Sequence, residues 1–166
     1  MATTGTTIAS PPIGQAITFL TTAADSDGAL LELEAVMAPG SSIPPHVHVH
    51  QEERWRVLDG TATFKVDGRT VTAAAGDELA VPARTPHSFR NRTEDEVRLR
   101  ATLLPALRAE DLFTALFQLG APGKVNRLGA PSPLATARLI RQFREEFFYL
   151  AHFPVALQRL LAGARR

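Results

Sequence analysis

Four of the five histidines lie between positions 46 and 87, and three stand in one run, Pro44-Pro45-His46-Val47-His48-Val49-His50-Gln51-Glu52-Glu53. Imidazole nitrogens and carboxylate oxygens are ligands for first-row transition metals. The chain has no cysteine. Disulfides, iron–sulfur clusters and thiolate zinc sites are therefore excluded, and a metal must rest on His and carboxylate. In an extended strand alternate residues share a side, so His46 and His48 can meet one ion. Parity alone would add His50 and Glu52. Six residues of strand, however, cover roughly 20 Å, against metal–ligand bonds of about 2 Å. The chain must bend after His48 and return a carboxylate.

Parity also chooses between the two glutamates. In the strand that follows, Glu53, Trp55 and Val57 share one face, while Glu52, Arg54 and Arg56 share the other. Glu53 is expected to point into the core and Glu52 into water. A carboxylate among apolar neighbours needs a positive partner, because burying it unpaired is costly, and a metal supplies that charge. In a second stretch, Gly76 to Asn91, a strand ends at Pro82, a turn follows and His87 opens the next strand. The predicted site is His46, His48, Glu53 and His87 around one divalent transition metal: Fe, Mn, Ni, Cu or Zn. Glu53 is the predicted catalytic residue, a ligand that also shuttles a proton. The bland alternative is a run of surface histidines. His50 is expected behind a ligand or in solvent, and His152 as a packed or capping residue.

The elements that must position these residues fall into two unlike parts. Residues 14–104 read as strands at 29–37, 54–58, 61–66, 69–73, 78–81, 88–91 and 96–104. Asp67-Gly68 is a type I′ hairpin signal, and Asp59-Gly60 and Gly76-Asp77 mark further turns. Many short strands at even spacing predict an all-β sandwich or barrel. Residues 105–166 read as two or three helices, packed on the barrel or at a dimer interface. Glu110-Asp111 open the first and Gly120 closes it. Ser132-Pro133 starts a longer one, with Ile140, Phe143, Phe147 and Leu150 on one face. A short last helix follows Pro154, over 155–161. Phe113, Phe117, Phe143, Phe147 and Phe153 are expected in core or interface, with a lid over the barrel mouth as the sharper idea. Residues 1–13 are expected to be a flexible lead.

The chain's 166 residues are enough for one domain, or one domain with an appendage. Hydrophobic residues make up 45% and charged residues 21%, which predicts a soluble globular protein. Eighteen basic against seventeen acidic residues argue against a generic nucleic-acid binder. No apolar run is long enough to span a membrane, and residues 1–13 lack the pattern of a secretory signal. The expected location is the cytoplasm.

The two chemical stretches resemble the paired motifs of the cupin superfamily. The first reads Gly40, five residues, His46-x-His48, four residues, Glu53, six residues, Gly60; the second reads Gly76, five residues, Pro82, four residues, His87, three residues, Asn91. The resemblance covers about residues 28–104. One position departs: the second motif usually has Gly two residues after its Pro, and this chain has Arg84, a residue that disfavours positive φ. The resemblance implies an antiparallel jelly-roll β-barrel with a metal inside, His46, His48, Glu53 and His87 as its ligands, and a homodimer. The strand around Thr18-Phe19-Leu20 is a candidate for exchange between barrels. Such a site suits a metal-dependent dioxygenase acting on a small molecule, or a Lewis-acid isomerase or cyclase. The alternative is a non-catalytic cupin that binds or senses a small metabolite. Neither partner reading involves nucleic acid or membrane.

Overall fold

The structure is a computed structural model that describes residues 2–121, 123 and 132–149. Eleven strands and two helices form in chain order among these residues: β1 (Thr7–Ser10), β2 (Gln15–Thr21), β3 (Leu31–Met37), β4 (Ser42–His48), β5 (Glu52–Asp59), β6 (Thr61–Val66), β7 (Arg69–Ala74), β8 (Glu78–Val81), β9 (His87–Arg90), β10 (Val97–Leu104), α1 (Ala109–Leu119), α2 (Pro133–Gln142) and β11 (Phe147–Tyr149). They make two antiparallel sheets, β1-β2-β3-β10-β5-β8 and β11-β4-β9-β6-β7. This is a mainly β fold, the sandwich or barrel that the spacing and turns predicted and the jelly-roll that the resemblance implied, with two helices toward the C-terminal end.

Burial alternates along the central strands as half-buried sheets require. In β3, Leu31, Leu33, Ala35 and Met37 are buried; in β10, Val97, Leu99, Ala101 and Leu103. The two inner faces close over one core, in which Trp55, Phe64 and Phe89 stack with ring centroids 5.3–6.4 Å apart. The turns follow their chemistry. Asp67 and Gly68 have φ of 46° and 79°, both positive as a type I′ hairpin demands. Gly60 (φ +80°) links β5 to β6, strands of opposite sheets. A side chain there would put its Cβ 3.0 Å from the Glu96 carbonyl oxygen.

Two expectations are corrected. The lead of residues 1–13 contains β1, whose ladder with β2 runs from Thr7↔Thr18 to Ser10↔Gln15. Ser10 is fully buried, and its hydroxyl donates to the Gly120 carbonyl at 2.6 Å. Glycine suits that end of α1 because a Cβ would meet Ser10 Oγ at 2.7 Å. Within this chain β2 pairs with β3. Secondly, the helix opened at Pro133 stops at Gln142, and Phe147–Tyr149 form a strand on the edge of β4. An aromatic triplet has strand propensity, and the unpaired edge of β4 offers it backbone partners. The short helix expected over 155–161, together with Leu150, His152 and Phe153, lies outside the described residues.

The helices carry a smaller core of their own. Leu112, Leu139 and Phe143 are buried together, and the Arg108 guanidinium sits 5.1 Å from the centre of the Phe143 ring. Phe117 joins the barrel core and Phe113 packs against it, the structural role expected for both. No helix among the described residues is long and apolar enough to cross a membrane.

Candidate metal centre

Strand β4 carries two adjacent prolines, Pro44 and Pro45, which cannot donate to a ladder. The pairing of β4 with β9 accordingly shifts register between Ile43 and His46. After the shift, His46 and His48 both face inward and His46 stands directly opposite His87. The chain then bends through residues 49–51 and enters β5 of the other sheet. Glu53 thus comes from the sheet facing the three histidines. Its burial, 2% exposed, matches the parity argument, while Glu52 is part-exposed and pairs with Arg54 at 2.6 Å.

The turn that delivers His87 holds the one motif departure. Arg84 adopts φ of +67°, the left-handed conformation that a glycine takes without strain. Its backbone N–H donates to the His48 carbonyl at 2.7 Å. The turn keeps its shape with the larger side chain, and it ties the second motif to the first.

The structure brings His46, His48, Glu53 and His87 together: one ligand atom from each lies within 4.8 Å of all the others. His46 Nε2 is 3.2 Å from His48 Nε2, His87 Nε2 is 2.8 Å from Glu53 Oε2, and His48 Nε2 is 3.7 Å from the same oxygen. Four ligands bonded at about 2.1 Å to one ion stand roughly 3–4 Å apart, so the group needs only a slight contraction. All four residues are buried. His50 lies outside the group, on the surface against Glu145 at 3.3 Å.

The outer nitrogens decide the tautomers. Nδ1 of His46 faces the Pro44 carbonyl at 2.9 Å, Nδ1 of His87 the Thr85 carbonyl at 2.9 Å, and Nδ1 of His48 the Glu146 carbonyl at 3.1 Å. A carbonyl only accepts, so each Nδ1 carries a proton. In neutral His46 and His48 each Nε2 then presents a lone pair, and the two lone pairs face each other at hydrogen-bond distance. A cation is a partner that both can share. Burial foremost, then the neighbouring imidazoles, lowers the His46 pKa to about 3, and burial lowers that of His48 as well. Burial also opposes charge on His87, but its hydrogen bond to Glu53 and the carboxylate charge outweigh this and raise its pKa. For Glu53, burial pushes upward, and the surrounding His48, His87 and His46 prevail, holding it at about 2. These shifts favour neutral imidazoles at His46 and His48 beside a hydrogen-bonded His87–Glu53 pair, a donor set that can hold a metal ion.

One supporting residue escaped the sequence reading. Gln51 is fully buried. Its amide nitrogen donates to the Pro105 and Ala106 carbonyls at 2.8 and 2.9 Å, and its Oε1 lies 3.2 Å from His48 Nδ1. The signal was present, since Gln51 has the parity of Glu53 and Trp55. The role of Glu146 had no such signal, because a backbone carbonyl leaves no mark in a side-chain pattern.

Residues 33–104 match the family model for a cupin domain. The chain is 35% identical over 71 residues to "Polyketide synthase CurC" of Streptomyces cyaneus, covering 43% of this chain and 46% of that protein. It is 38% identical over 66 residues to quercetin 2,3-dioxygenase of Bacillus subtilis (strain 168), covering 39% and 20%. The chain thus spans less than half the length of either relative. A solved cupin from Shewanella frigidimarina NCIMB 400 superposes with a TM-score of 0.52 at 22% identity, covering 58% of this chain and 81% of that one.

Proposed function

We propose that this chain, whose residues 33–104 match the family model for a cupin domain, is a metal-dependent enzyme acting on a small molecule, an oxygenase or a related cyclase or isomerase. His46, His48, Glu53 and His87 hold one divalent transition metal in this reading. The observation that carries it is the facing pair of His46 and His48 Nε2 atoms, 3.2 Å apart, with both Nδ1 atoms committed to carbonyls. The names of the two relatives, a dioxygenase and a polyketide synthase, support a substrate with enol or phenol groups.

When bound, the metal supplies Lewis acidity toward an enolate, phenolate or carboxylate and, for a redox-active ion, electron exchange with O₂. The chain's own residues do the rest. Glu53 Oε2, already sharing a proton with His87 Nε2 at 2.8 Å, is the group placed to accept and return a substrate proton. One strand step deeper, Trp55 and Phe89 follow Glu53 and His87 on the same inner face. With Phe64 they form an apolar floor that excludes water from that side and favours a flat, apolar substrate body. The backbone of residues 147–149 pairs along the edge of β4. We place the protein in the cytoplasm, as a homodimer.

The burial of all four site residues favours a second reading, a cupin that holds a metal and a metabolite without turnover. Oxygen uptake separates the two. The iron-loaded protein, screened aerobically against small enols and phenols, should consume O₂ with at least one of them, and His46→Ala/His48→Ala should not. Binding of such compounds without O₂ uptake or product would support the second reading.

A further inference from the structure

Gln51 is the most deeply enclosed polar side chain beside the cluster, and its orientation is not free. The Pro105 and Ala106 carbonyls, at the junction between β10 and α1, can only accept, so they fix the amide with its NH₂ group toward them. Oε1 must then face His48 Nδ1. The Nδ1 proton lies between two acceptors, Gln51 Oε1 at 3.2 Å and the Glu146 carbonyl at 3.1 Å. One acceptor is tied to the junction after β10 and the other to the segment that leads into β11. We propose that Gln51 is a positioning residue: it holds His48 in the Nδ1–H tautomer and fixes the ring plane, so that Nε2 stays aimed at the cluster. This rests on the metal reading of the site. Groups that hold the outer nitrogen of a metal-binding imidazole typically change metal affinity by about 10- to 100-fold. The Glu146 carbonyl shares the load, so a loss near tenfold is expected here.

The two ends of the amide can be separated by substitution. Gln51→Met keeps the volume and removes both the donors and the acceptor. Gln51→Glu keeps the acceptor for His48 and removes the donors to residues 105 and 106. A residue that only fastened the β10–α1 junction would affect folding in both variants and cobalt binding in neither. The probe is cobalt(II) itself, read by its visible absorption band, which reports ligand geometry, alongside thermal melting of each metal-free variant.

The expected result is that both variants melt below the parent. Cobalt affinity should fall about tenfold in Gln51→Met, with a shifted band, and stay within a few-fold of the parent in Gln51→Glu. Gln51→Asn, one methylene shorter, withdraws the acceptor without removing polarity; it should lose cobalt affinity as Gln51→Met does and stands in for it if Met prevents folding. Equal cobalt affinity and an unshifted band in the parent and in the Met or Asn variant would overturn the positioning role. So would a loss in Gln51→Glu as large as that in Gln51→Met. A parent that binds no cobalt contradicts the metal reading itself, a separate outcome from either of these.

Discussion

Zinc binding to the His46, His48, Glu53 and His87 cluster should release up to one proton per ion, the full proton at pH below the raised pKa of His87. The number follows from which groups carry protons before metal arrives. His46, held at about 3 by burial and then by the neighbouring imidazoles, is neutral, and His48 is lowered mainly by burial. Glu53 is ionised, held at about 2 against burial by the imidazoles around it. His87 is the exception. Burial works against its charge, yet the hydrogen bond and charge of Glu53 prevail and raise it above the usual histidine value. The one exchangeable proton therefore sits on His87 Nε2, 2.8 Å from Glu53 Oε2, where the metal must bind. Below the raised His87 pKa, each fall of one pH unit should weaken zinc binding about tenfold, or about 1.4 kcal/mol; above it the affinity should level off. Three ordinary histidines with pKa near 6.5 would instead approach a thousandfold loss per unit in acid. Affinity can be followed by chelator competition from about pH 5.5 to about pH 8.5, with calorimetry in two buffers of different ionisation enthalpy to count the proton. The Glu53→Gln variant removes the partner that raises His87, so its proton release at neutral pH should drop toward zero. A slope near three, or no slope at all, would refute this protonation scheme.

Other consequences are more local. Arg84→Gly should stabilise the protein by about 1 kcal/mol in a denaturant titration, because the native φ of +67° costs an L-residue about that much; a loss of stability would mean that the Arg84 side chain has a compensating contact. Phe64→Ala should cost about 3–5 kcal/mol, since the ring is 2% exposed and packs between Trp55 and Phe89; a cost under about 1 kcal/mol would contradict a close-packed aromatic floor. Metal-free protein should lose stability as pH falls from about 6.5 toward about 3, the window between the ordinary histidine value and that of folded His46. His87, shifted upward, has the opposite sign: the stability it contributes is fully present below about 6.5 and is lost as pH rises through its raised pKa; melting temperature against pH reads both. Light scattering after size exclusion should give twice the chain mass, and a monomer would contradict the homodimer reading.

What could be read from the sequence was local or periodic. Alternation in β5 gave the side of Glu53 before any coordinates, and the Asp67-Gly68 turn fixed one hairpin by its need for two positive φ values. The four clustered residues were legible because two of them share a strand face and the others open or follow strands of known parity. Gln51 was overlooked, although the same parity rule includes it. Phe143, Phe147 and Leu150 repeat at helical spacing, yet the chain leaves the helix at Gln142. The edge of β4 offers the 147–149 backbone a ladder, a non-local term that no period in the sequence expresses. The Thr-rich start was unreadable for a related reason. Its long-range anchors include the β2 ladder, the Thr4 hydroxyl on Asp25 and the buried hydroxyl of Ser10 on Gly120, 110 residues away.

The central claim is that this protein holds one transition metal on His46, His48, Glu53 and His87, and elemental analysis tests it most directly. Protein purified without chelator or His-tag should carry near one equivalent of a single first-row transition metal, and His46→Ala/His48→Ala purified beside it should carry almost none. Iron, copper, manganese or nickel would support the oxygenase reading, and zinc the Lewis-acid one. A folded parent with no metal, or a double variant with as much metal as the parent, would contradict the account.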